Sequence, residues 1–196
     1  MSPLARSRPL GITAPTALAA PRRPAVAFGL PAATTSSYSL LTLAFAQLRG
    51  YTPVQISAAF LPLMLAGLCA GPLAARLAAR AGTRAVLLTG LAFAGAGLVL
   101  ISRMGPYPGL LPAGLLLFPI GAGMVFSAAT VVAVTGARED ESGLTGGLVN
   151  TAMELGPPLG LALWAPLGHT HGYGPAFAWA AAALLVALPI TALARH

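Results

Sequence analysis

Six apolar runs, each about 20 residues long, constrain this chain more than any other feature. They lie at approximately Ala25–Leu48, Pro53–Ala75, Ala85–Arg103, Gly109–Thr135, Gly143–Leu167 and Pro175–Ala194. A helix of that length spans the roughly 30 Å hydrocarbon core of a bilayer. The breaks between them are short: residues 49–52, 80–84, 104–108, 138–141 and 169–172. Backbone groups in lipid must be bonded within the structure, so a span is a helix or part of a closed barrel. Barrel strands are about half this length and alternate in polarity. These runs are rich in Ala and Leu and show no period of two. The expected fold is therefore all-α, a polytopic membrane domain of six helices over residues 25–196. Residues 1–24 read as a mobile cytoplasmic tail, because Pro9, Pro15 and Pro21 interrupt any signal-peptide core.

Composition excludes the alternatives. Hydrophobic residues make up 57% of the chain and charged residues 8%, where about 25% charged is usual for a soluble domain. Too few charges remain to coat a water-soluble surface, and disorder needs low hydrophobicity. The net charge of +7 comes from 11 basic residues, all of them Arg. They sit in the gaps between apolar runs and gather on no single face, so nucleic acid is not an expected partner. Cys69 is the single cysteine, which excludes an intrachain disulfide and reads as a small buried apolar residue.

Arginine placement orients the spans. Arg6, Arg8, Arg22, Arg23, Arg76, Arg80, Arg84, Arg138 and Arg195 fall on one side, and only Arg49 and Arg103 on the other. Positive charge stays inside, so both termini are expected in the cytoplasm. The spans also recur at a period near 85 residues, and Gly71-Pro72 of span 2 is answered by Gly156-Pro157 of span 5. Three helices followed by three more give two repeats of inverted topology, a common transporter plan. Equally, Gly-Pro steps are frequent in membrane helices, and six similar spans create a period by default.

Polar residues inside the spans are the candidate functional groups. At 100° per residue, Gly143, Gly147, Asn150, Thr151, Glu154 and Pro158 share one face of span 5. Glu154 is the only carboxylate within a span. Ionised at mid-bilayer it costs about 3 kcal/mol or more, so it reads as a proton relay or a partner for a cationic substrate. A neutral Glu hydrogen-bonded to a neighbouring helix is the structural alternative. Thr34, Thr35, Tyr38, Ser39 and Thr42 share a face of span 1, either lining a wet path or back-bonding to their own helix. The pairs Gly67/Gly71, Gly143/Gly147 and Gly156/Gly160 have the spacing for close helix approach. Pro112, Pro119, Pro157, Pro158 and Pro189 should kink spans 4, 5 and 6. His169 and His171 read as solvated loop residues. The chain contains no hydrolase, zincin, P-loop or dinucleotide motif, so neither an enzyme nor a cofactor is expected.

The run from Gly71 to Arg84 (GPLAARLAARAGTR) resembles the loop between the second and third helices of a major facilitator superfamily domain. Residues 51–62 (YTPVQISAAFLP) are similar to the outer start of span 2 in that family's fourteen-helix drug:proton antiporter branch. Residues 142–156 (SGLTGGLVNTAMELG) resemble its penultimate helix, and Gly156-Pro157 with Gly160 echoes the antiporter motif. The resemblance implies a half-size transporter, similar to the carboxy-terminal six-helix half, in the bacterial plasma membrane. It implies proton-coupled export of a small organic compound by alternating access. Spans 1 and 4 would line the cavity, and spans 2 and 5 would flank the domain interface. Gly71, Arg76, Arg80, Arg84, Gly156, Pro157 and Gly160 would form the conformational motifs. The branch carries a polar or basic pair where this chain has Met153-Glu154, so no family role passes to Glu154. The family pairs two six-helix domains. A second half, a second copy of this chain, or a truncated frame are the alternatives that follow, and a non-transporting helper subunit is the rival function.

Overall fold

The computed structural model describes residues 22–103, 110–135 and 142–193, and all regular structure among them is helical. Five helices follow in chain order: α1 (Arg22–Arg49), α2 (Pro53–Ser102), α3 (Leu110–Thr135), α4 (Ser142–His171) and α5 (Tyr173–Leu193). The predicted tail up to residue 21 lies outside the described residues, and α1 begins three residues ahead of the predicted first span.

The expected spans 2 and 3 are the two parts of α2, which run on from each other across a kink at Gly82. Its start is fixed by a capping box: the Thr52 amide donates to Gln55 Oε1 at 2.9 Å, and the Gln55 amide donates to Thr52 Oγ1 at 3.4 Å. Pro53 follows at the first helical position, where its missing N–H costs nothing. The basic stretch 80–84, expected as a loop, stays helical except at Gly82 (φ 82°, ψ 165°). That conformation is open to glycine and strained for other residues.

Packing shows what Gly82 does. Gly67 and Ala70 lie against Pro119 and Gly123 of α3, while Gly90, Ala94 and Gly97 lie against residues 118–125 of the same helix. A straight helix would hold residues 67 and 94 about 40 Å apart. The chain therefore folds back at Gly82 into a first arm (53–81) and a second arm (83–102). The first arm runs parallel to α3, since 67 meets 119 and 70 meets 123. The second runs antiparallel, since Gly90 meets Met124, Ala94 meets Gly121, Gly97 meets Phe118 and Ile101 meets Gly114.

Glycine makes this packing possible. A Cβ on Gly121 would overlap the Ala94 amide nitrogen, and one on Gly97 would stand 2.7 Å from the Phe118 Cα. On its other side the second arm meets α5, where a Cβ on Gly95 would stand 2.7 Å from Leu185 Cγ. Leu91, Leu98, Ile101, Phe118, Met124 and Phe177 are fully buried there. Small residues let backbones close on each other, which drives helix association where there is no water to expel.

The outer surface is apolar. Val54, Leu61, Leu68, Leu163, Trp179 and Val186 are each at least 60% exposed. Such a surface suits lipid or another membrane protein and not water. By length and apolarity alone, α2 and residues Leu111–Val132 qualify as membrane spans, and Tyr173–Pro189 is a shorter apolar helix. The hydroxyls of α1 and the Asn, Thr and Glu of α4 dilute those two helices.

Candidate functional site

The hydroxyls of α1 form the first part of the candidate site. Pro31 sits inside the helix, and its carbonyl accepts from Thr34 Oγ1 (2.9 Å) and Thr35 Oγ1 (3.0 Å). Ser36 and Ser37 donate to the Ala33 carbonyl at 2.8 and 3.0 Å, and Thr42 donates to the Tyr38 carbonyl at 3.0 Å. Each hydroxyl proton is thus held by the helix's own backbone, which leaves oxygen lone pairs for any other partner. Burial divides the expected face: Thr34 is buried, Thr35, Tyr38 and Ser39 are half-buried and Thr42 is exposed, while Ser36 and Ser37 beside it are buried. Thr34 therefore turns into the protein while Thr42 turns out.

Tyr38 leans away from α4. Its ring centroid lies 4.8 Å from Phe118 of α3 and 6.3 Å from Phe60 of α2. Phe45 extends the cluster, 6.3 Å from Phe60 and 5.8 Å from Tyr51. These spacings are those of attractive aromatic pairs. Phe45 and Phe118 belonged to no sequence motif, Tyr51 and Phe60 lay in the stretch 51–62 without being singled out, and only the folded arrangement brings the four together.

Thr35 and Ser36 meet α4 instead. A Cβ on Gly156 would overlap the Thr35 hydroxyl and stand 2.7 Å from the Ala32 carbonyl, and one on Gly160 would stand 2.6 Å from the Ser36 Cα. Trp164 Nε1 donates to Ser36 Oγ at 3.3 Å, tying the helices one turn further on. Contact positions rise together along both chains, so α1 and α4 run parallel.

With Gly156 and Gly160 turned to α1, the polar stripe of α4 turns outward. Asn150, Thr151, Glu154 and Pro158 are exposed, and Pro157 is half-buried. Thr151 Oγ1 donates to the Gly147 carbonyl at 2.8 Å. No hydrogen bond or ion pair engages Asn150 or Glu154 among the described residues. Glu154 lies about 10 Å along the helix axis from the level of Tyr38, by the register of Gly156 on Ala32 and Thr35. The structure thus joins Thr35 to α4 but leaves Glu154, Tyr38 and Thr42 apart.

The remaining motif residues cluster at the hinge of α2. Gly71, Arg76, Arg80 and Arg84 are all exposed. Beside them a partly open groove of about 180 Å³ separates the two arms from α3, lined by Ala74, Ala75, Ala78, Val86, Ala128 and Val131. Cys69, expected to be buried, is exposed, because the first arm presents that face outward. His169 and His171 are exposed as expected, but they lie in the last turn of α4 and not in a loop. The described residues hold no group of three metal-ligating side chains.

The profile of the Major Facilitator Superfamily matches residues 25–196. Among curated proteins, the puromycin resistance protein pur8 of Streptomyces alboniger is 30% identical over 76% of this chain and 35% of its own. The lincomycin resistance protein of Streptomyces lincolnensis is 31% identical, covering 74% and 31% respectively. The multidrug resistance protein Stp of Mycobacterium tuberculosis is 32% identical, covering 63% and 24%. The chain thus spans about a third or less of each relative's length.

Proposed function

Because the chain belongs to the major facilitator superfamily, and is therefore a multi-pass membrane protein of a transporter family and not an enzyme, we propose that it exports a small organic compound across the bacterial plasma membrane. Drug-like compounds are the substrate class, in keeping with the resistance proteins it resembles. Transport proceeds by alternating access and is coupled to protons. The two arms of α2 count as separate spans, giving six crossings with both termini inside. The first arm lies parallel on α3 and α4 lies parallel on α1. That is the relation expected of two inverted three-helix repeats, with the second helix of each packed on the first helix of the other.

One observation carries the reading. Glu154 stands exposed on α4, taken in this reading as a membrane span, with no partner among the described residues. A carboxylate at that depth is costly unless it faces a water-filled cavity or another protein. The outward stripe Asn150–Thr151–Glu154 therefore faces a cavity shared with a second six-helix body, and Glu154 takes up and releases the coupling proton there. Thr35, Tyr38 and Thr42 contribute oxygens along the path, with Thr34 buried behind them. The seam at Gly156, Pro157 and Gly160, together with the hinge at Gly71, Arg76, Arg80 and Arg84, carries the movement.

Glu154→Gln keeps the shape and removes the titratable proton. In vesicles bearing an imposed pH gradient and containing the complete transporter, it is expected to cut pH-driven substrate flux at least tenfold while expression holds. Unchanged flux would remove the relay. A helper role, in which the outward stripe of α4 docks on another membrane protein, is the second reading. It predicts that the purified chain moves nothing alone and gains activity with a separate six-helix protein. Restoration by a second copy of the same chain would identify a homodimer.

A further inference from the structure

Two adjacent prolines sit inside α4, just after Glu154. Pro157 and Pro158 belong to the helix, and a proline has no N–H to give to the carbonyl four residues back. The carbonyls of Met153 and Glu154 therefore lack their helical donors. Among the described residues, no side chain and no other helix donates to either of them. In lipid a carbonyl without a partner is costly, so these two oxygens call for a ligand.

The other prolines inside helices differ. Pro31, Pro62, Pro72, Pro119, Pro166 and Pro189 each stand singly and free one carbonyl. None of those carbonyls lies within a helical turn of an acidic residue. Only at Pro157-Pro158, among the described residues, do two consecutive carbonyls lose their donors beside a carboxylate.

Helix geometry gathers the three groups. Successive carbonyls point the same way along the axis, toward the C-terminus. That of Glu154 points at Pro158, and Glu154 and Pro158 are exposed on one face. That of Met153 points at the half-buried Pro157 beside it. The two oxygens and the Glu154 carboxylate thus border one patch near the middle of α4 (Ser142–His171). There the hydrogen-bonded ladder rising from Ser142 is interrupted, which adds the negative pole of a half-helix. The nearest basic side chain further along α4 is His169, about 22 Å up the axis.

Uncharged carbonyls with a carboxylate are hard oxygen donors, which suit a hard cation and neither an anion nor a soft metal. One carboxylate balances one positive charge, and Glu154 is the one described carboxylate. Interrupted membrane helices hold Na⁺ by carbonyls freed in this way. We propose that the Glu154 carboxylate and the freed carbonyls of Met153 and Glu154 form a binding site for Na⁺, with water completing its shell. This site rests on the reading of Glu154 as facing a wet cavity, and adds Na⁺ as a second cation for the group assigned to the proton.

Isothermal titration of NaCl into the full chain in nanodiscs, with choline chloride as the reference salt, is expected to show saturable binding. Glu154→Gln should abolish it. Replacing Pro157 and Pro158 together by Ala gives the two carbonyls their donors back, and should weaken Na⁺ binding several-fold with the carboxylate in place. Each single replacement should give a smaller loss. Pro166→Ala, which returns a donor elsewhere on the same helix, should leave binding unchanged. Alanine is favoured over proline inside a helix, so these variants should unfold at no lower temperature than the parent. Absence of saturable Na⁺ binding by the parent would overturn the site, and so would an affinity indifferent to the two prolines. Binding is read here and not flux. Loss of pH-driven flux in Glu154→Gln without Na⁺ binding by the parent would therefore leave the proton relay standing and remove this site alone.

Discussion

Two parallel helix pairs occupy corresponding places in this domain, and their seams differ. On one side α4 lies on α1, with Gly156 against Thr35, Gly160 against the Ser36 backbone, and Trp164 bonded to Ser36. On the other the first arm of α2 lies on α3, where Gly67 makes ordinary contact with Pro119 and Gly71 has nothing within 4 Å. The Gly-Pro steps 71–72 and 156–157 sit about 85 residues apart, yet one is consumed in packing and the other borders an open groove. Most close glycine contacts beside α3 belong to the second arm, and the first arm contributes one, where a Cβ on Gly123 would stand 2.7 Å from Ala70 Cβ. Similar sequence steps thus serve a closed seam and an open one, and the difference lies in what the facing helix presents.

Gly121→Leu should have the largest effect. Even a Cβ there overlaps the backbone of Ala94 and comes within 2.8 Å of the Phe93 carbonyl carbon. Backbone cannot yield as a rotamer can, and overpacking costs about 1–3 kcal/mol or more even where side chains adjust. Loss of the monodisperse peak on size-exclusion chromatography is the expected result. Recovery of a stable peak would mean the second arm and α3 are not closely packed.

Gly160→Ala tests the α1–α4 seam. The added methyl would meet Ser36 Cα and its carbonyl at 2.6 and 2.8 Å, so a cost of about 1–3 kcal/mol is expected. It should appear as a lowered midpoint of thermal unfolding in detergent, with the folded protein still recoverable. A smaller effect, about 1 kcal/mol, is expected from Trp164→Phe, which removes the indole donor and keeps an aromatic ring. Ser36→Ala should cost a similar amount, and the double variant should cost less than the sum of the two. Additive costs would show that the 3.3 Å contact contributes no coupling.

The sequence revealed an all-helical chain of long apolar runs because length and apolarity are local properties. It placed a break at residues 80–84, where composition changes, but only Gly82 leaves the helical conformation. Alanine and arginine continue a helix readily, so a polar gap need not be a loop. Periodicity put Thr34 and Thr42 on one face, yet the first is buried and the second exposed, since a helix's rotation is set by its neighbours. The small-residue pairs show the same limit. Gly156/Gly160 packs closely, Gly143/Gly147 meets nothing within 4 Å, and the tight contacts of Gly90, Gly97 and Gly121 carried no signal. Spacing says that a helix can be approached and not what approaches it. For Glu154, periodicity supplies the face, but its outward orientation follows only from α4 turning its glycine edge to α1.

Gly71→Ala makes the smallest change and separates the two seams most directly. A Cβ there meets open space, and alanine is favoured over glycine inside a helix by about 0.8–1.0 kcal/mol. The variant should be as stable as the parent or slightly more so, whereas Gly160→Ala should be weaker. A methyl at position 71 would also take a little of the groove, which Gly71 helps to line. Equal destabilisation by the two substitutions would mean that the first arm closes on α3 as tightly as α4 closes on α1. Opposite signs would assign the stiff seam to α1–α4 and leave the hinge side of the domain as the one with room to move.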